Sequence, residues 1–251
     1  MAKGKRVRLD DFLVARGDAA DRREALALVL ARRVYVAGQD SLTPGLLISR
    51  DAVVRVAEDK IPYVSRGGLK LAAALDSFRL DVAGCVAVDI GASTGGFTDC
   101  LIQRGAARVY AVDVGRGLLH EKLRRDARVV VVESCNARTL GRAEVPEAAA
   151  IATLDVSFIS LDAVLPPVID LLAPRAWVVA LVKPQFEAER CEVEKGGVVR
   201  DEAVRRRVVE KISAVMNRFG VDTVGTVDAP IAGAKGNREV LLVGRKRGKS
   251  D

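Results

Sequence analysis

Four charged residues stand where apolar runs end or begin, and together they could take a proton from a very weak acid. Lys183 closes "RAWVVALVKP", Asp155 closes the apolar part of "AAIATLDVSF", Glu239 opens "NREVLLVGRK", and Lys70 lies in "LKLAAALDSF" ahead of the other three. Lysine at the end of an apolar strand is costly unless it is paired. A ribose hydroxyl is such a weak acid, and removing its proton calls for a strong base that stays neutral until use. A buried lysine does this when a neighbouring cation keeps it unprotonated and carboxylates orient it. One charge at a strand end is commonplace. Two lysines and two carboxylates facing one rim form a set.

Residues 86–98 carry the second chemical signal, "VAVDIGASTGGFT". An apolar run ends in an acid and passes at once into a glycine cluster, although each glycine costs roughly 0.5–1 kcal/mol over alanine in regular structure. A tight turn needs one or two glycines; close approach of backbone to a ligand explains more. Gly91, Gly95 and Gly96 make G-x-x-x-G-G and not the G-x-G-x-x-G of dinucleotide sites. The spacing resembles motif I of S-adenosylmethionine-dependent methyltransferases. On that resemblance Asp89 and Gly91 at the strand end are cofactor residues. So are Ala92, Ser93 and Thr94 in the loop, and Gly95, Gly96, Phe97 and Thr98 where a helix begins. Asp113, at the end of the next strand in "VYAVDVG", stands where a carboxylate accepts from both ribose hydroxyls. Asn136, after the third strand, is placed for the adenine ring, and Asp155 shares the rim.

The methylated group is narrowed by what is missing. Methylation of an adenine amino nitrogen uses an (N/D)-P-P-(Y/F) turn after the fourth strand, where this chain has "LDVSFIS". Methylation of a pyrimidine carbon needs a cysteine nucleophile at a strand end, and Cys85, Cys100, Cys135 and Cys191 are not so placed. The lysine–carboxylate set points to a hydroxyl.

These residues have to be held by something regular. From residue 84 onward strand and helix alternate: "VAVDIG", "RVYAVDVG", "RVVVVES", "AAIATLDVSF", "RAWVVALVKP" and "NREVLLVGRK" read as strands, with helical stretches at 161–172 and 201–219. Nearly continuous apolar strands alternating with helices give an α/β doubly wound parallel sheet. The low aromatic content of 4 % agrees with an aliphatic core. Residues 1–60 form a unit of their own. "RLDDFLVARG" and "DRREALALVLARR" are amphipathic helices, Leu9, Phe12 and Leu13 on one face and Ala25, Leu28 and Val29 on another. "VYVAG" and "DAVVRVAED" read as short strands separated by turns. Pro62, Gly67 and Gly68 mark a hinge, so residues 61–69 are a linker and 70–251 a second domain.

Net charge is +7, and residues 1–66 hold thirteen Lys/Arg against nine Asp/Glu, a surplus of four. That balance suits a polyanionic partner without proving one. Arg6, Arg8, Arg22, Arg23, Arg32, Arg33 and Arg66 are the candidate RNA contacts. Four scattered cysteines without a C-x-x-C, and one histidine, give neither a zinc site nor a disulfide framework. Apolar runs such as 176–182 fall far short of the ~20 residues that span a bilayer. The opening "MAKGKRVRLDDFLVARG" has acids where a secretory signal would be apolar, so a cytoplasmic location is expected.

Two resemblances complete the reading. "RLDDFLVARG", "RREA", "VYVAG", "TPG" and "VVRV" resemble the S4-type RNA-binding domain, with Asp21 where that family often has a capping serine and Arg33 where it often has glycine. "YVSRGGLKL", "DIGASTGGFTD", "AVDVG", "NAR", "LDVSFISL", "LVKPQFE", "KGGVVRD" and "GNREVLL" resemble the TlyA (hemolysin A) family of ribosomal RNA methyltransferases. The resemblance implies a Rossmann-like, FtsJ/RrmJ-like methyltransferase fold whose Lys-Asp-Lys-Glu tetrad lands on Lys70, Asp155, Lys183 and Glu239. It implies S-adenosylmethionine as cofactor, ribosomal RNA or ribosomal subunits as partner, cytidine 2′-O-methylation as activity, and a monomer. A membrane-active haemolysin and an RNA-binding protein without catalysis are the rival readings.

Overall fold

The computed structural model describes residues 6–31, 33–39, 42–56, 61–233 and 236–248. The first unit runs β1 (Arg6–Arg8), α1 (Leu9–Arg16), α2 (Arg22–Leu30), β2 (Val34–Val36), β3 (Leu47–Ser49) and β4 (Val54–Val56). Helices were expected first, but β1 precedes them and pairs antiparallel with β3, while β2 pairs with β4. A three-residue "RVR" is too short for any periodicity to reveal. Leu9 with Leu13, and Ala25 with Val29, lie four apart and so share one helix face. They bury a small core with Val34, Ile48 and Val54. Asp21 caps α2, its Oδ1 accepting from the Glu24 amide at 2.8 Å. This is the role that the capping preference of aspartate foretells.

The second unit is a seven-stranded sheet: β5 (Val86–Ile90), β6 (Arg108–Val112), β7 (Val129–Val132), β8 (Ala149–Leu154), β9 (Leu172–Val182), β10 (Val221–Asp228) and β11 (Val240–Lys246). Their spatial order is β10-β11-β9-β8-β5-β6-β7. The first five in sequence pair parallel, as read from the apolar runs. The expectation of a wholly parallel sheet fails at the end, where β11 runs antiparallel to both β9 and β10. β10 was not foreseen. Its "VDTVGTVD" alternates burial along an edge strand, and a half-polar alternating segment lacks the continuous apolar signature of its neighbours.

Helices cover both faces. α6 (Leu165–Asp170) and α8 (Glu202–Arg218) pack with Val88, Ile90, Val178 and Ala180 on one side. α3 (Gly67–Ser77) and α4 (Gly96–Gln103) pack with Ala87, Val109, Val179 and Leu181 on the other. Consecutive residues of one strand thus feed opposite cores. Two short helices, α5 (Glu121–Arg124) and α7 (Pro184–Glu187), follow β6 and β9. Gly67 and Gly68, read as a hinge, form the first turn of α3. A side chain at Gly68 would run into the Tyr63 ring, so this glycine serves close packing. Among the described residues no helix is long and apolar enough to cross a membrane.

Candidate active site

The chain leaves β7 and re-enters the sheet on the far side of β5, so strand order reverses between β5 and β8. A doubly wound sheet opens a ligand crevice at that point. Four adjacent strands end there in a row. Gly91, Asp155 and Lys183 each directly follow the last residue of β5, β8 and β9, and Glu239 directly precedes the first residue of β11. Val240 and Val182 are ladder partners, which sets Glu239 beside Lys183 just beyond the last rung. The reversed direction of β11 is what allows a residue at the start of a strand to join residues at strand ends.

The four side chains form two ion pairs. Lys183 Nζ lies 2.6 Å from Asp155 Oδ1 and donates to Ser157 Oγ at 2.8 Å. Lys70, reaching over from α3, pairs with Glu239 Oε2. Lys183 and Glu239 are buried. All four line one cleft of ≈ 600 Å³. The glycine loop forms part of its wall through Gly91, Ala92, Ser93, Thr94, Gly96 and Phe97. Further lining comes from the N-terminal unit, with Leu30, Tyr35 and Val36. The tetrad named from sequence is therefore assembled, and the cleft lies between the two units.

The glycines turn out to serve the chain itself. Gly91 (φ +79°) and Gly95 (φ +95°) hold left-handed backbone, the region that favours glycine. A Cβ on Gly91 would lie 2.6 Å from the Asp155 carbonyl oxygen. One on Gly95 would strike Leu119 and Leu123, and one on Gly96 would strike Ser65. Turn conformation and close packing thus each call for glycine here, and Gly91 and Gly96 also line the cleft where approach of a ligand was expected.

Five expected cofactor residues, Asp89, Gly95, Thr98, Asp113 and Asn136, are not among those that line the cleft. Asp89 and Thr98 are fully buried behind the loop. Asp89 accepts from Thr98 Oγ1 at 2.7 Å and from Thr153 Oγ1 at 2.8 Å, binding α4 and β8 to the end of β5. Burial pushes its carboxyl up to about 7, against the pull of the two hydroxyls. Asp113 is half-buried after β6. Its Oδ2 accepts from the Ser93 amide at 2.8 Å and its Oδ1 from the Gly115 amide at 2.7 Å, so it braces the glycine loop. Each oxygen keeps a lone pair for a further donor. Asn136 is exposed and caps a short turn, accepting from the Arg138 amide at 3.1 Å.

The candidate RNA contacts are spread and mostly partnered. Arg6 is exposed on β1. Arg8 pairs with Asp10 at 2.6 Å, and Arg22 with Asp11 at 2.5 Å. Arg23 crosses to the second unit, donating to the Gly117 carbonyl at 3.2 Å and standing 3.5 Å from Glu121. Arg33 and Arg66 are half-buried, and Arg66 lines the cleft. Arg32 lies outside the described residues.

Sequence reasoning missed three features of the rim. Phe158 is 91 % exposed with φ +62°, and its ring stands 5.0 Å from that of Phe186 across the cleft mouth. A bulky aromatic in left-handed backbone is a genuine outlier, and only coordinates reveal φ. Glu187, buried in α7, accepts from Ser160 Oγ at 2.6 Å and from the Leu161 amide at 2.7 Å. Burial raises its carboxyl above the usual range. Asn237 accepts from the Val199 amide at 3.0 Å and donates to the Gly197 carbonyl at 2.8 Å, fastening the segment that leads into Glu239.

A methyl donor of the adenosyl-amino-acid kind fits these residues. The glycine loop and the first turn of α4 present backbone along one cleft wall, and Asp113 stands after the neighbouring strand. Among the described residues, two buried polar atoms without partners, Arg66 Nε and Gln185 Oε1, belong to side chains that line the same cleft.

Residues 63–247 match the family model of the FtsJ-like methyltransferases. The Bacillus subtilis protein YqxC, described as a candidate rRNA methyltransferase, is 46 % identical over 242 residues, 95 % of this chain and 85 % of its own. The 16S/23S rRNA (cytidine-2′-O)-methyltransferase TlyA of Mycobacterium tuberculosis is 41 % identical over 239 residues, 95 % of this chain and 89 % of its own. A solved structure of a Streptococcus thermophilus protein, described as a candidate hemolysin, superposes with a TM-score of 0.75 at 39 % identity. It covers 96 % of this chain and 89 % of that one.

Proposed function

The chain belongs to the TlyA family of FtsJ-like rRNA methyltransferases, and from that membership we propose that it methylates the 2′-hydroxyl of a cytidine in ribosomal RNA, using S-adenosylmethionine. The observation that carries this reading is the pairing of Lys183 with Asp155 and of Lys70 with Glu239 in one cleft beside the glycine loop. Base methylation has no use for two lysine–carboxylate pairs; a weakly acidic hydroxyl does.

S-Adenosylmethionine supplies an electrophilic methyl group on a positively charged sulfur. Gly91, Ala92, Ser93, Thr94, Gly96 and Phe97 would hold its amino-acid end, Asp113 the ribose hydroxyls and Asn136 the adenine. Asp89, Thr98 and Gly95 support that loop from behind. Lys183 would take the 2′-hydroxyl proton at Nζ, with the ribose oxygen held toward the methyl group that the cofactor supplies. Asp155 fixes the Lys183 amine. Glu239 anchors Lys70, whose remaining N–H groups are free to steady the ribose oxygen. Holding oxygen and methyl in line supplies much of the rate. Phe158 and Phe186 offer aromatic faces at the cleft mouth for a base turned out of its stack.

In this reading residues 1–60 are an S4-type docking module, 61–69 a connector and 70–251 the catalytic module. Arg6, Arg8, Arg22, Arg23, Arg32, Arg33 and Arg66 would meet phosphates. The protein works as a monomer in the cytoplasm, where its ribosomal substrate resides. The test is transfer of tritiated methyl from S-adenosylmethionine to purified ribosomal subunits, followed by nucleoside analysis. Label on 2′-O-methylcytidine is expected; label on a base, or none on either subunit, sinks the reading. Titration calorimetry should show S-adenosylmethionine binding roughly tenfold or more weaker in Asp113→Ala, since two hydrogen bonds are lost.

A further inference from the structure

We infer that Ser157 is a positioning residue that aims the Lys183 lone pair at the cleft, an inference resting on Lys183 being the base. A neutral amine has two hydrogens and one lone pair, and it works as a base only when the lone pair faces the proton to be taken. Lys183 Nζ has two partners in the structure, Asp155 Oδ1 at 2.6 Å and Ser157 Oγ at 2.8 Å. With one hydrogen given to each, the lone pair is left for the cleft that Lys183, Asp155 and Ser157 all line. With Asp155 alone, the amine would rotate about its bond to Cε and hold the lone pair toward the ribose for only part of the time.

The backbone is built to keep that hydroxyl in place. Phe158 adopts φ +62°, which turns the chain sharply after Ser157. Further along, Glu187 accepts from Ser160 Oγ and from the Leu161 amide. Glu187 lies four residues after Lys183, so one carboxylate ties the loop that carries Ser157 to the turn that carries the base. The proton account balances with Ser157 as spectator. The hydroxyl O–H bond breaks and an N–H bond forms on Lys183. The O–CH₃ bond forms as the S–CH₃ bond breaks, and the sulfur keeps that electron pair as a neutral thioether.

The experiment is single-turnover methyl transfer to ribosomal subunits from pH 6 to pH 10, with the full chain and saturating S-adenosylmethionine. Wild type, Ser157→Ala, Ser157→Thr and Lys183→Ala are compared. Ser157→Ala should lower the high-pH plateau rate about tenfold or more, the scale expected when a reacting group loses its alignment. Its KM for subunits, its S-adenosylmethionine affinity and its melting temperature should stay at wild-type values. Ser157→Thr keeps the hydroxyl and should restore most of the rate. A wild-type plateau in Ser157→Ala beside an inactive Lys183→Ala overturns the role of Ser157 and leaves the base in place. A rise in KM with an unchanged plateau overturns it as well, because Ser157 would then be a substrate contact. Transfer by Lys183→Ala at the wild-type rate removes the base, and with it the premise.

Discussion

The two units that wall the cleft are built on different scales. The strands β1 to β4 have three residues each, and their core rests on side chains such as Leu9, Leu13, Ala25 and Val29. The strands that end at Gly91, Asp155 and Lys183 have five, six and eleven residues, with helices packed on both faces. Long strands locked by ladders on both sides fix their end residues in space. Short ones held by a small core can adapt. The charges follow the same division. The rim lysines are buried or nearly so and face single carboxylates, whereas Arg22 and Asp11 pair in the open, where an ion pair is worth about 0–1 kcal/mol. A phosphate can displace the second kind of pair and not the first. Under the proposed function the fixed groups serve the chemistry, and the exchangeable ones serve docking on a large irregular RNA.

Substitutions should respect that contrast. Lys183→Ala should cut the single-turnover rate by about 10²–10⁴-fold, the usual contribution of a general base, without changing subunit affinity. A loss of similar size from any arginine of the first unit would break the comparison.

Asp89 offers a test within the sheet. Its carboxyl sits near 7 when folded and near 3.8 in the open chain, so the folded state binds the extra proton between those values. Its contribution is therefore intact below about pH 4 and is lost as pH rises toward and through about 7. At 1.36 kcal/mol per unit the loss amounts to as much as about 4 kcal/mol. Asp89→Asn keeps partners for Thr98 and Thr153 but cannot ionise. Urea unfolding at pH 5 and pH 8 should show a markedly smaller difference for the variant than for wild type. Equal differences would show that the end of β5 tolerates charge after all.

Phe158 lies between the two regimes, on the rim but open to solvent. Phe158→Ala should lower kcat/KM for subunits about tenfold, since stacking a base on an aromatic ring is worth ~1–3 kcal/mol. S-Adenosylmethionine affinity should not change, and a change there would place the ring in the cofactor site. The smallest effect is expected from Arg22→Ala. The slope of log affinity against log salt should fall by about one, with the rate at saturating subunits unaltered. An unaltered slope would remove Arg22 from the docking face.

What could be read in advance follows the same physics. Strand ends and apolar runs are local signals, so Asp155 and Lys183 could be placed at one rim before any coordinates, whereas Lys70, on a helix, and Glu239, at the start of a strand read as parallel, were joined to them by the family resemblance. The cap at Asp21 was legible because a cap concerns only the next three residues. The direction of β11 and the presence of β10 depend on which strand lies alongside, and no window of sequence holds that information. The same is true of Asp89 and Thr98. Their neighbourhood to the glycine loop was plain, but their burial behind it depends on β8, whose Thr153 lies 64 residues away. Ser157 was passed over for another reason. A serine in a loop carries no signal until the lysine it faces, 26 residues on, is seen across from it.

The row of strand ends also bears on how the gene can change length. Side chains alternate faces along a strand, so one codon inserted within β9 or β11 would slip the ladder and send its outward set inward. Lys183 or Glu239 would then lose its place against Val182 and Val240, and the quartet would fall apart while most of the core survived. Codons added between α8 and β10 would shift nothing at the rim. Descendants of this gene should therefore vary in length at their connections and hold their strand lengths constant, leaving a record of the reaction in the spacing of the strands themselves.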